Sequence, residues 1–453
     1  MRGFLASSVG VTCAAALALP MALSAPAQAG PGLQAATTEP AVQGSTQSLP
    51  LVPLDGVRAF GSAAPEQGLS RRDVRSFSLV GVIWDDPGAE LHGRVQVRTR
   101  ATGTTDWSPW QDVETHNHEH AADPDTAERD SGRVRGSTAP LWVGDSDGVE
   151  VRVQAEVDQR APLPGGRPLP RGLRLELVDP GAEPPSGNTP ADAGRTGVLS
   201  ADLDASTVET TTASAENAAL APLGATEIPA LSQSETEREA LALNQGEPMG
   251  KPYIGERPKI ITRRGWGANE SLRERGFVYT KKVKAAFVHH SASGNNYRCS
   301  QASSVIRSIY RYHVVSSGWR DVGYNFLVDK CGNIYEGRAG GVAKAVKGAH
   351  TLGFNANSMG IAVLGSFGKA KPSAAALTAI ARLTAWKLGL FGANPKGKTY
   401  LTSGGGNLYR KGKNVRLNVI SGHRDGFATE CPGRALYGKL GSARKDAARY
   451  QGR

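Results

Sequence analysis

Ala285-Ala286-Phe287-Val288-His289-His290 is a short apolar run that ends in two imidazoles. A run of this length and composition reads as a buried strand, so it delivers both histidines to a strand end. Side chains alternate faces along a strand. His289 is therefore assigned to a site and His290 to the opposite face, as a structural or groove-lining residue. Further along, Ile420-Ser421-Gly422-His423-Arg424-Asp425 and Thr429-Glu430-Cys431-Pro432-Gly433 add a second histidine and a cysteine. Two imidazoles and one thiolate would hold zinc and leave a fourth position for water, which is the arrangement of catalytic rather than structural zinc. The gap between His423 and Cys431 is too wide for one helix face. It suits a strand-end histidine followed by a loop that returns the cysteine. The competing reading is a buried spectator thiol among ordinary polar-core histidines, and composition leaves the two level.

The surrounding pattern is mixed. Residues 302–315 carry Ile306, Ile309 and His313 at helical spacing, with His313 read as a hydrogen-bonded core residue. Tyr324 to Val328 and Ile334 to Glu336 form a hairpin about a Lys330–Asn333 turn, and Gly360 to Phe367 is a further buried strand. Pro372 is placed at the first position of a helix bearing Leu377, Ile380, Leu383 and Leu388 and ended by Gly389. After a strand over Arg416 to Ser421, a last helix runs from Ala435 to Ala448. Residues 256–453 are thus an α/β domain with a mixed β-sheet and about three helices.

The front half reads differently. Arg2, the apolar Val9 to Leu23 and Ala27-Gln28-Ala29 make residues 1–29 a secretory signal peptide. Residues 30–75 lack periodicity and are read as a disordered lead-in. Alternating segments at Arg94–Arg100, Val149–Ala155 and Leu173–Val178 make 76–180 an independent all-β, sandwich-like domain that helps target the protein. Trp107 and Trp110 lie three apart, and core packing at a strand edge is preferred over sugar stacking. His116, His118 and His120 alternate in an acidic loop, read as solvated in preference to metal-binding. Residues 181–255 are read as an acidic flexible linker, 181–250 holding 11 Asp+Glu against two Arg, with one short helix over Thr236 to Leu243.

Charge divides the chain sharply. From Lys251 onward there are 35 Lys+Arg against 9 Asp+Glu, whereas residues 1–250 hold 18 against 33. Outside a cell, an anionic envelope polymer is the natural partner for the basic half; nucleic acid is excluded by export, and stable membrane insertion by the lack of a second apolar run. Four cysteines are too few for a disulfide scaffold or a zinc-finger array. Loss of the signal peptide leaves three. Cys299 and Cys331 flank the first helix and the hairpin and are expected to bridge in an oxidising compartment, leaving Cys431 as a thiolate. Oligomeric state is not legible.

The motifs just quoted, with Gly318-Trp319-Arg320-Asp321-Val322-Gly323-Tyr324-Asn325-Phe326, Ile334-Tyr335-Glu336-Gly337-Arg338 and Gly348-Ala349-His350 between them, resemble the peptidoglycan recognition protein family, which shares its fold with phage-type N-acetylmuramoyl-L-alanine amidases. The resemblance covers about residues 257–440. It implies a mixed sheet with three main helices and a groove over a zinc ion held by His289, His423 and Cys431. It also implies an active-site Tyr324 and an oxyanion-stabilising Thr429, with peptidoglycan as substrate and partner and a secreted or wall-associated location. Non-catalytic members lose the cysteine that this chain keeps; a binding-only recognition protein is the alternative. His350 and His290 are the substrate-groove candidates. Many members carry Gly-Trp after the Glu-Gly-Arg; this chain has Ala339-Gly340-Gly341 after Arg338.

Overall fold

In the computed structural model the described residues are 43–54, 66–156, 168–183, 205–243 and 253–453. The expected signal peptide lies outside them. No helix among the described residues is long and apolar enough to cross a membrane.

The strand Ala285–His290 lies one in from the edge of a seven-stranded mixed sheet. It pairs in parallel with Ile420–Gly422 on one side and with Ser358–Val363 on the other. Phe326–Val328, Ile334–Glu336, Ile260–Ile261 and Glu227–Ile228 complete the sheet in that order. Register decides where the chemistry goes. Val288 lies opposite Gly422, so His289 and His423 leave two neighbouring parallel strands at the same end. In open α/β sheets that carboxyl end is where ligands bind.

Helices cover both faces of the sheet. Ala374–Gly389 and Leu440–Tyr450 pack on one through Ile380, Leu383, Leu388, Leu440 and Ala447. Ala302–Arg311 covers the other through Val305, Ile306 and Ile309. The expected mixed sheet with three main helices is therefore present. Its details differ: Ser373, not Pro372, starts the long helix, its hydroxyl accepting from the Ala376 amide at 3.0 Å. The last helical stretch breaks into Arg434–Tyr437 and Leu440–Tyr450. His313 sits in the turn after the first of these three helices, and its Nδ1 accepts from the Gly323 amide at 3.3 Å, as a core residue should. Lys398–Thr402 and Asn414–Asn418 form a hairpin whose Leu401, Val415 and Leu417 pack on Phe287 and Phe354.

Cys299 and Cys331 are joined by a disulfide, leaving Cys431 free and buried. The bridge closes a loop with a sequence separation of 32. Replacing both cysteines by Ala should lower stability by about 2–4 kcal/mol, read as a shift of the urea midpoint; an unchanged midpoint would mean that the reduced chain is already restrained.

The front half is an antiparallel sheet of eight strands. It does not start at residue 76. Gln43–Pro50 pairs with Arg174–Gly181, and one long strand runs from Glu66 to Trp84. The lead-in reading missed these strands because their polar composition lacks the apolar alternation of a half-buried strand, although their backbone is paired in the sheet. Nor does the sheet stand apart. Leu79, Ile83, Trp142 and Val178 share one buried cluster with Val305, Ile306, Ile309 and Tyr312. The linker reading also needs correction. Ala205–Ala215 and Gln233–Leu243 are helices, and Leu220, Ile228 and Ala240 are buried in the core of the basic half. Acidic side chains of the front half and linker pair with basic ones beyond Lys251: Glu128 with Arg338, Glu209 with Arg273 and Arg275, Glu216 with Lys344, Glu239 with Arg257, Asp125 with Lys411. Much of the charge split is thus complementary within one chain. The two tryptophans are half-buried beneath guanidinium groups, with Arg152 4.3 Å from the Trp110 ring and Arg71 5.1 Å from the Trp107 ring.

Candidate metal centre

His289, His423 and Cys431 converge as the motif spacing requires. His289 and His423 come from the two parallel strand ends, and His423 opens a short 3₁₀ turn over His423–Asp425. The loop after it returns Cys431, whose carbonyl accepts from the Arg424 amide at 3.1 Å. The Thr429 hydroxyl accepts from the Cys431 amide, also at 3.1 Å.

A fourth donor joins them. His120, from the front half, places its Nε2 3.2 Å from His423 Nδ1. Cys431 Sγ lies 3.7 Å from His289 Nδ1, and the four donor atoms all lie within 4.8 Å of one another. Ligands at about 2.0–2.1 Å (N) and about 2.3 Å (S) around a tetrahedral zinc would sit roughly 3.3 Å apart for N···N and roughly 3.6 Å for N···S. The donor set and its spacing therefore fit a tetrahedral metal ion. The loop carrying His120 was read from sequence as solvated. In the fold His116 is exposed, His118 half-buried and His120 buried. The alternation of the three histidines carried the signal; what it lacked was a partner surface to turn the third one inward.

The second ring nitrogen of His289 is held from behind, whereas His120 Nδ1 and His423 Nε2 are buried without a hydrogen-bond partner. His289 Nε2 lies 3.3 Å from both His350 Nδ1 and Thr351 Oγ1. A metal-binding histidine normally hands its other ring N–H to such a neighbour, which fixes tautomer and ring plane. Asn355 supports this layer: its Oδ1 accepts from the amides of His350 and Thr351 at 2.7 and 3.0 Å. His350 is fully buried, with its ring against Gly360, where an added Cβ would come within 2.4 Å of it. The groove-lining expectation for His350 is thereby corrected: its contact is with His289. His290 is also buried, with no hydrogen-bond partner for Nδ1, and its carbonyl lies 4.0 Å from Cys431 Sγ. The Tyr324 ring stands 5.5 Å from that of His289 and 6.0 Å from that of His120.

Burial holds His120, His289 and His423 well below the ordinary imidazole range, and neighbouring imidazoles, His290 and His350 among them, add to it. Neutral imidazoles are the form that binds metal. Burial pushes the Cys431 thiol up, and an adjacent cation is what would reverse that direction. Tyr324 is likewise pushed well up by burial, so it stays a neutral hydroxyl.

Two family models match. Residues 279–434 match N-acetylmuramoyl-L-alanine amidase, and residues 31–184 match the Rv3811 N-terminal galactose-binding domain-like family. Peptidoglycan-recognition protein 1 of Holotrichia diomphalia is 31% identical over 183 residues, 40% of this chain and 79% of that protein. Peptidoglycan-recognition protein SC2 of Drosophila simulans is 28% identical over 183 residues, 40% of this chain and 84% of the relative. Among solved structures, wild-type Drosophila PGRP-LB aligns at 26% identity over 40% of this chain and 92% of its own, with a TM-score of 0.32.

Proposed function

This chain belongs to the peptidoglycan-recognition protein family, and we propose that it is a secreted, zinc-dependent amidase acting at the cell wall. It hydrolyses the amide between N-acetylmuramic acid and L-alanine in peptidoglycan. The observation that carries this reading is the convergence of His289, His423 and the free Cys431 on one point at the carboxyl end of the sheet. A family match to amidases over that same segment supports it.

Zinc held there supplies a Lewis acid that polarises the scissile carbonyl and lowers the pKa of water towards ~7. The chain's own groups do the rest. His350, Thr351 and Asn355 hold His289 in the tautomer that presents Nδ1. The Thr429 hydroxyl, fixed two residues before Cys431, donates to the oxygen of the scissile carbonyl as its charge grows. The Tyr324 hydroxyl, kept neutral by burial, orients the attacking water or the developing oxyanion. The buried walls exclude bulk water, so each of these dipoles acts at full strength.

Replacing Thr429 by Ala should cost on the order of 10²-fold in turnover while zinc content stays at the parent's level. Tyr324→Phe should behave alike, with zinc retained and rate lost. Release of the alanine α-amine from muropeptides, measured beside metal content, reads both. If Thr429→Ala loses its zinc, the threonine serves the ligand turn rather than the oxyanion.

The reading as a whole is tested on the full chain. About one zinc per chain, with new α-amines from digested wall in the wild type or in the loop variant described below, supports the amidase. Muropeptide binding without zinc and without amine release would establish the recognition-only alternative.

A further inference from the structure

We propose that His120 is a fourth protein ligand to the metal, so that the loop His116–Asp130 of the front half holds the amidase closed. The inference rests on the amidase reading above and adds a residue outside the segment that matches the amidase family.

Two consecutive residues occupy the two places that the chemistry needs. His120 Nε2 completes the donor set opposite His423, at the position a catalytic site leaves for water. Glu119 Oε1 accepts the Thr429 hydroxyl at 2.7 Å, so the donor meant for the substrate carbonyl is already spent. Both residues are almost fully buried. Burying an imidazole and a carboxylate together is costly, and it is offset here at His120 Nε2 and Glu119 Oε1, while His120 Nδ1 and Glu119 Oε2 stay without a hydrogen-bond partner.

The rest of the loop is tied down along the same wall. The Glu119 carbonyl accepts from the Leu352 amide at 2.9 Å. Asp123 Oδ1 accepts from the Gly353 amide and from Asn355 Nδ2, both at 2.8 Å. Glu128 takes Arg338 in a two-pronged pair with both contacts at 2.8 Å. Asn355 thus touches the loop on one side and the His350–Thr351 backbone behind His289 on the other. These links are polar, whereas the sheet behind the loop is fastened through Leu79, Ile83, Trp142 and Val178. The loop is therefore the part that moves when the site opens, and the sheet is the frame it moves on.

The test compares the zinc-loaded full chain with His120→Ala by X-ray absorption at the zinc edge, together with amine release from muropeptides. The wild type should show one sulfur and three imidazoles. His120→Ala should keep about one zinc per chain, with one sulfur, two imidazoles and an added oxygen. An open fraction of about 0.1–10% in the wild type puts the variant's rate roughly 10–10³-fold higher. His120→Asn repeats the measurement if the alanine variant misfolds. The same imidazole number in both chains, or equal and measurable rates of amine release, would overturn the proposal. A variant that shows the two-imidazole shell yet releases no amine would uphold His120 as a ligand and sink the amidase reading instead.

Discussion

The double variant His289→Ala/His423→Ala will leave purification with less than about a tenth of a zinc per chain, against about one in the wild type. The expectation follows from counting donors. Four converge in the native chain, and the double replacement leaves only His120 and Cys431. Two protein ligands do not hold zinc against the ordinary buffer. The single change His423→Ala should keep part of its metal, because three donors remain; in a His120→Ala background it should lose it. Amine release should vanish in every chain lacking His423. Elemental analysis after dialysis settles the matter, and a double variant with wild-type zinc content would mean that the ion is held elsewhere. Cys431→Ser should stop turnover with little change in fold, since the pocket is shaped by backbone and apolar contacts rather than by the thiolate.

Arg263→Met should destabilise the chain by about 3–5 kcal/mol, the cost of stranding a buried charge network. The Arg263 guanidinium lies inside the protein, 2.7 Å from Glu270 Oε1, 3.1 Å from Asp321 Oδ1 and 2.6 Å from the Gly337 carbonyl. Arg273 holds the other side of Glu270 at 2.7 Å and reaches Glu209 in the helix Ala205–Ala215. Removing Arg263 leaves Asp321 with no cation among these contacts and Glu270 with only Arg273. Methionine matches the volume, so the loss reports charge rather than a cavity. The urea midpoint measures it, and a shift below about 1 kcal/mol would mean that water reaches the carboxylates and solvates them.

Residues that speak through local chemistry were legible in the sequence. His289 closes an apolar strand, and His423 and Cys431 sit in one short segment. A disulfide with one thiol left over follows from compartment and parity, and the choice of Cys299 with Cys331 from their places beside the first helix and the hairpin. The mixed sheet follows from the periodicity of its own strands. What stayed hidden depends on distant partners. His120 is 303 residues from His423, and no period or spacing links an acidic loop to a strand end so far away. Helices Ala205–Ala215 and Gln233–Leu243 lie in a stretch whose composition suits a linker. They are held because Leu220, Ile228 and Ala240 find a core contributed by later residues. His350 shows the same limit from the other side: its motif was visible, but only the approach of Gly360 and His289 turns it from groove lining into a support.

The apolar cluster shared by the two halves has a consequence for the order of synthesis. Val178 leaves the ribosome 128 residues before Ile306, the residue it helps to bury. At about 5–20 residues per second that interval is roughly 6–25 s. Through most of it the stripe formed by Leu79, Ile83, Trp142 and Val178 lacks the helix Ala302–Arg311 that shares its cluster. A nascent sheet in that condition is a target for chaperones, and a chain stopped before Ala302 would leave the stripe without that helix. The later half therefore acts as the cap that completes the fold of the half made before it, and truncated products should be cleared by proteolysis rather than accumulate as a stable fragment.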